Sequence, residues 1–175
     1  MNLLLNKYLS VFLLLLLLAG CGQNDDQRDF ERSAYSAPDG FTQTDEIGDI
    51  MEGNEDRDDW RVSPFYQGLV DIDSPAYPNP VQTTGEVRIE IFNRDDAVTS
   101  LRVIVIFVDG GTYSENEVQS ARRDPLPANS TTVLSINPRE LSRFDTVDGD
   151  LVGIKRIILL DATNNVVSYG DIMVE

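Results

Sequence analysis

Apolar residues along this chain fall into three regimes. Leu9 to Leu18 is a nearly unbroken greasy block, interrupted only by Ser10. From Gly22 to Trp60 apolar residues stand alone: Phe30, Tyr35, Phe41, Ile47, Ile50 and Met51. From Arg61 onward they alternate with polar ones, and turn residues punctuate at short intervals. Alternation with period two predicts half-buried strands. Phe65 to Ile72 puts Tyr66, Val70 and Ile72 on one face. Gly85 to Ile91 is the clearest strand, with Val87, Ile89 and Ile91 pointing one way and Glu86, Arg88 and Glu90 the other. Leu101 to Val108 is apolar on both faces except at Arg102, which predicts a central strand. Thr131 to Ile136 alternates again. Ile154–Leu160 and Val166–Val174 flank Asp161-Ala162-Thr163-Asn164-Asn165, a hairpin connection rich in residues that tolerate positive φ. Ser168, Gly170 and Asp171 interrupt the last run, as an edge or an outward face would.

One short helix is expected after Asn137, which can cap it. Pro138 suits the first helical position and Glu140 lies three residues after the cap. It would run to about Phe144, with Leu141 and Phe144 turned inward. The alternating region therefore predicts an all-β domain over 61–175, an immunoglobulin-like antiparallel β-sandwich of about seven strands with this one helix. Residues 22–60 carry thirteen acidic and three basic side chains. Such a stretch buries too little apolar surface to offset its ordering entropy, so 21–60 reads as a disordered acidic tether. As a flexible coil it would span about 35 Å. The competing reading is a segment that folds on a partner, with Phe41, Ile47, Ile50 and Met51 as anchors.

The greasy block is too short to span a bilayer as a helix, which takes about 20 residues. A basic start at Lys7, a short apolar middle and small residues at its end match a secretory signal over 1–20. It closes on Leu18-Ala19-Gly20-Cys21, and Cys21 is the only cysteine. These four residues resemble the lipobox of bacterial lipoproteins. Leucine at the outer position suits that motif better than ordinary signal cleavage. The resemblance implies a diacylglyceryl thioether on Cys21, usually with a third acyl chain on its amine. One acyl chain binds only marginally and several bind durably, at about 0.8 kcal/mol per buried methylene.

Charge narrows the partners. The whole chain carries a net charge of −16, and loss of Lys7 with the leader makes it −17. Such a field repels nucleic acid and anionic headgroups, so no nucleic-acid partner is expected. There is no histidine, which removes the commonest general base and metal ligand. With Cys21 acylated, no thiol remains for catalysis, zinc or a disulfide. No cofactor is implied.

Ala76-Tyr77-Pro78-Asn79-Pro80-Val81, followed by the strand from Gly85, resembles the opening of immunoglobulin-like modules in flagellar hook-capping proteins and in the sorting tails of secreted Bacteroidota proteins. There a Y-P-N-P turn leads into the first alternating strand. The resemblance implies a shared fold. The same residues also make a rigid turn in any β protein. Gly22 after Cys21 resembles lipoproteins sent to the outer membrane, and Asp25-Asp26 is similar to the acidic surface-export signal of Bacteroidota lipoproteins.

Candidate chemistry is sparse. Asp145, Asp148 and Asp150 form an acidic turn that offers oxygen ligands to Ca²⁺ but departs from the EF-hand spacing. A solvated turn is the stronger reading. Lys155, set among apolar neighbours, is expected to be an outward solvated amine. Paired carboxylates would serve glycoside hydrolysis, and chance pairs are common among so many acids. Trp60, Phe65, Tyr66 and Tyr77 cluster near the start of the domain. They offer stacking or anchoring to a partner, or they clamp the first strand to the core. The expectation is a non-enzymatic envelope lipoprotein, lipid-anchored at the outer membrane, that binds or scaffolds an envelope protein or glycan. The alternatives are a small carboxylate-dependent glycan hydrolase and a Ca²⁺-stabilised structural domain.

Overall fold

A computed structural model describes residues 22–95, 98–121, 125–143 and 150–175. It is an antiparallel β-sandwich. The described elements are helix α1 (Gly22–Ala34) and strands β1 (Arg61–Val62), β2 (Val70–Tyr77), β3 (Val87–Asn93), β4 (Leu101–Asp109), β5 (Thr112–Glu117), β6 (Ser130–Ile136), β7 (Gly153–Asp161) and β8 (Val166–Val174). One sheet has the order β1-β8-β7-β4-β5 and the other β2-β3-β6. The chain crosses between sheets after β1, after β3, after β5 and after β6. That connectivity sets β2-β3-β6 against β5-β4-β7-β8, an immunoglobulin-like arrangement.

The alternating patterns point where the sequence places them. Val87, Ile89 and Ile91 pair with Ile136, Leu134 and Thr132 of β6, and all but Thr132 are inaccessible to solvent. They meet Val103, Val105, Ile157, Leu159 and Ile172 from the other sheet. Each such buried aliphatic side chain contributes about 1.5–3 kcal/mol. A core of this kind needs no disulfide.

A second apolar cluster lies outside the sandwich, on the outer face of the larger sheet. Ile104 and Ile106 of β4, Ile158 and Leu160 of β7 and Val166 and Tyr169 of β8 are covered there by Phe30 and Ala34 of α1. The Phe30 and Tyr169 rings lie 4.9 Å apart, tilted by 55°. The helix is capped electrostatically, with Asp25 in its first turn and Arg32 in its last. The structure thus differs from the expected tether in extent: within 22–60 the chain packs on the sandwich. One turn-spaced stripe, Gln27, Phe30 and Ala34, supplies the burial that a count of apolar residues did not reveal.

The same cover explains β8. Ser168, Gly170 and Asp171 are buried, and β8 lies between β1 and β7. β8 is therefore no edge, and Asp171, which shares the outer face with Arg156 and Tyr169, is covered and not open to water. Ser168, Gly170 and Asp171 receive the segment 56–61. The expected helix after Asn137 is a single 3₁₀ turn, Pro138–Leu141, whose cap Asn137 accepts from the Arg139 N–H. Leu141 is buried as expected, while Phe144 lies outside the described residues.

Candidate functional site

One loop carries three of the exposed large apolar side chains among the described residues, including Ile47, the most exposed of them. Ile47 is 75% exposed, Ile50 45% and Met51 48%. The loop that carries them is held by its own backbone. Gln43 donates to the Asn54 carbonyl and accepts from the Met51 N–H, both at 2.9 Å. The Asp45 carboxylate accepts from the Ile47 and Asp49 N–H groups, each at 3.0 Å, and so fixes the tip. Gly48 turns the chain with φ +92°, a left-handed conformation that suits glycine. Asp45, Glu46, Asp49 and Glu52 surround the apolar tip, all exposed. The result is an ordered apolar projection with an acidic rim.

The base of this loop is bonded to the exit of β2. Thr44 and Asn79 exchange backbone hydrogen bonds of 2.9 and 3.3 Å. The Thr44 hydroxyl donates to the Ala76 carbonyl at 2.6 Å. Asn79 is fully buried between two cis peptide bonds, Tyr77-Pro78 and Asn79-Pro80. Its amide donates to the carbonyls of Thr42 (2.8 Å) and Asp171 (3.0 Å). Its side-chain oxygen accepts from the Met173 N–H at 2.8 Å. The Tyr-Pro-Asn-Pro stretch therefore ties the 42–44 segment to β8.

A buried charged cluster lies beside it. Arg156 on β7 donates to both oxygens of Asp171 on β8, at 2.5 and 2.7 Å. Its remaining arm donates to the Ser33 carbonyl at the end of α1, at 2.8 Å. Asp59 accepts from the Asp171 N–H (2.6 Å) and the Thr42 N–H (2.9 Å). Burial pushes the Asp59 carboxyl up to about 7, with the nearby Asp171 and Asp56 charges adding to it and the two backbone donors opposing it. Burial raises Asp171 as well, against the lowering effect of Arg156. A hydrolase would need one acid free to give a proton and another free to attack or to activate water. Here each carboxylate has both oxygens engaged in holding chain segments.

The four aromatic candidates are not brought into one surface. Trp60 is buried, with positive φ, and its ring lies over Gly170. Tyr66 is buried and its hydroxyl donates to Asp161 at 2.5 Å. Tyr77 is buried and its hydroxyl donates to Glu90 at 2.6 Å. Only Phe65 of the four is exposed. Trp60 and Tyr66 pack into the core, and Tyr77 is buried outside it.

Lys155 corrects its expectation. It is buried, and its ammonium donates to the Asp150 carbonyl oxygen. Burial lowers its pKa, with the Asp150 charge opposing. The Asp150 carboxylate accepts from the Arg143 N–H at 2.7 Å. Asp145 and Asp148 lie outside the described residues, as does Cys21. Among the described residues no three acidic side chains converge as a metal site requires. Sequence reasoning missed the roles of Asp59 and Asn79: Asp59, with Asp56 and Asp58, reads as tether charge, and Asn79 as part of an ordinary turn. No protein-family model matches the chain, and no curated protein is similar to it.

Proposed function

We propose that this protein is a lipid-anchored envelope lipoprotein that acts by binding a partner and not by catalysis. The loop tip of Ile47, Ile50 and Met51 carries the reading. Large apolar side chains grouped on an ordered loop and rimmed by polar groups are the kind of surface that marks an interaction site. The acidic rim selects that partner: an apolar pocket edged with lysine or arginine on another envelope protein. Opposite charges at a rim mainly speed encounter and fix orientation, while the apolar centre supplies the affinity.

The Leu18-Ala19-Gly20-Cys21 motif supplies the anchor in this proposal. Because α1 begins at Gly22, the folded body stays close to the lipid instead of floating at the end of a long coil. The hook-capping and sorting-tail resemblance contributes a fold and no role, since the Tyr-Pro-Asn-Pro residues have structural work.

Two measurements test this reading. Cys21→Ala should move the protein out of the membrane fraction or leave it unprocessed; full membrane retention would remove the anchor. A photo-crosslinking residue at Ile47 in intact cells should trap one discrete partner. The same residue at Val152, which is also exposed, serves as the control. Ile50→Asp should abolish the Ile47 adduct. Equal labelling from both positions, or none from either, rejects the loop as the binding face.

A further inference from the structure

The two sheets have four outer strands, and three of them are guarded against pairing with another chain. β2 carries Asp71, Asp73 and Pro75 and loses register twice along its length. β1 has two residues and begins with Arg61. β5 carries Glu115 and Glu117, and its Asn116 amide reaches the carbonyls of Ser142 and Arg143. Acidic side chains, proline, bulges and shortness are the devices by which proteins keep their sheet edges from pairing.

β6 has none of them. Its residues Ser130-Thr131-Thr132-Val133-Leu134-Ser135-Ile136 include no charge, no proline and no glycine. It keeps register with β3 over all seven residues without a bulge. It is rich in β-branched side chains, and Val133 is 40% exposed on its outer face. Among the described residues no strand pairs with its free side. In a chain of net charge −16, a seven-residue edge with no charged side chain of its own lets two copies meet with less opposition of like charge than the acidic edges would, although the Asp73 carboxylate reaches across to the Thr131 hydroxyl.

We infer that β6 pairs with β6 of a second copy, antiparallel about Val133, joining two three-stranded sheets into one of six. The symmetry is self-consistent, because one strand then serves as both halves of the interface. Centring on Val133 gives the longest overlap and sets Val133 against its own counterpart, with Thr131 opposite Ser135 of the other copy. Hydroxyl and aliphatic cross-strand pairs of this kind stabilise sheets modestly. Specific stable interfaces bury about 1,200–2,000 Å². A single strand seam falls short of that, so the dimer is weak in solution and gains from confinement on a membrane. This inference uses a different surface from the loop tip and does not rest on it.

The test uses the full chain in its membrane with Val133→Cys, compared with Val152→Cys and with the unsubstituted chain, which reports any disulfide through Cys21. Directly opposed residues in antiparallel strands lie about 5 Å apart, close enough for a thiol pair. Mild oxidation should give at least about tenfold more covalent dimer from position 133 than from position 152. Ile47→Asp should leave that yield unchanged, which separates this result from the fate of the loop-tip reading. Sedimentation of the detergent-purified chain should show a dimer that Val133→Lys weakens about tenfold without moving the melting midpoint. Raising salt from about 0.05 to about 0.5 M should strengthen the dimer, because it screens two acidic bodies and removes no attraction. Equal crosslinking at 133 and 152, a monomer at every concentration, or an adduct at 133 with a different protein overturns self-pairing.

Discussion

Asn79 has four hydrogen-bonding positions on its side chain, and backbone groups from two other parts of the chain fill three of them. Asn79→Ala would strand the carbonyls of Thr42 and Asp171 and the N–H of Met173 in a dry interior. Each orphaned group costs about 1–3 kcal/mol. Denaturant titration should therefore show a loss of about 3 kcal/mol. Asn79→Asp should lose more, because it would aim a buried carboxylate at two carbonyl oxygens. Gly170 is equally constrained by its surroundings. A Cβ there would lie 2.2 Å from the Trp60 ring. Gly170→Ala should destabilise the protein by about 1–3 kcal/mol through overpacking. Trp60→Ala in the same chain should recover much of that loss, a coupling that a double-mutant cycle reads directly. Neither residue could be singled out in the sequence, because the groups that define each role lie far away in the chain.

Helix α1 is held by one narrow stripe and one guanidinium. Phe30 and Ala34 fill the outer face of β4, β7 and β8, Gln27 accepts from the Phe65 N–H at 3.2 Å, and Arg156 reaches Ser33. The docked helix should protect Arg28 and Arg32 from trypsin, since cleavage needs local unfolding first. Phe30→Asp should speed cutting at these sites at least about tenfold while the sandwich remains intact, as followed by mass spectrometry of the fragments. The strands were legible in the sequence because each carries its own period: Val87, Ile89 and Ile91 declare a buried face without reference to anything else. Helix α1 was hidden because its stripe is one residue wide among acids. The signal that pointed to it lay elsewhere, in β4 and β7. Ile104, Ile106, Ile158 and Leu160 make both strands apolar on the outward face as well, and a sandwich with only two layers would leave that face wet. The loop tip was half legible. Ile47, Ile50 and Met51 stood out as isolated apolar residues, but the bonds of Thr44 that tie down the base of the loop depend on Asn79 and Ala76, about thirty residues further on.

At the scale of the whole molecule, acidity and burial act in the same direction. Two carboxyls, the half-buried Asp59 and the buried Asp171, are raised, and Asp59 faces Asp171, Asp56 and Arg156 across the cluster, with Thr42 as a backbone donor. A carboxyl raised in the folded state contributes stability that is full below its unfolded pKa and is lost as pH rises through its folded value. For Asp59 that window runs from about 4 to about 7. Asp161 works the other way. Burial raises it, but hydrogen bonds from Tyr66, Asn165 and Thr163 prevail and lower it, so its contribution is kept at neutral pH and lost in acid. General repulsion within a body of net charge −16 also grows as carboxyls ionise. Stability should therefore peak in mild acid and fall toward pH 8. Salt separates the two causes, because it screens exposed charges and leaves a buried cluster largely untouched. In about 0.5 M salt the wild-type protein should still lose about 2 kcal/mol between pH 5 and pH 8. Asp59→Asn has no proton to exchange there, so its stability should change much less over the same range, whatever its absolute value. A wild-type slope that disappears in salt would assign the pH dependence to the surface. A slope that persists unchanged in Asp59→Asn would move it to another buried group, with Asp171 next in line.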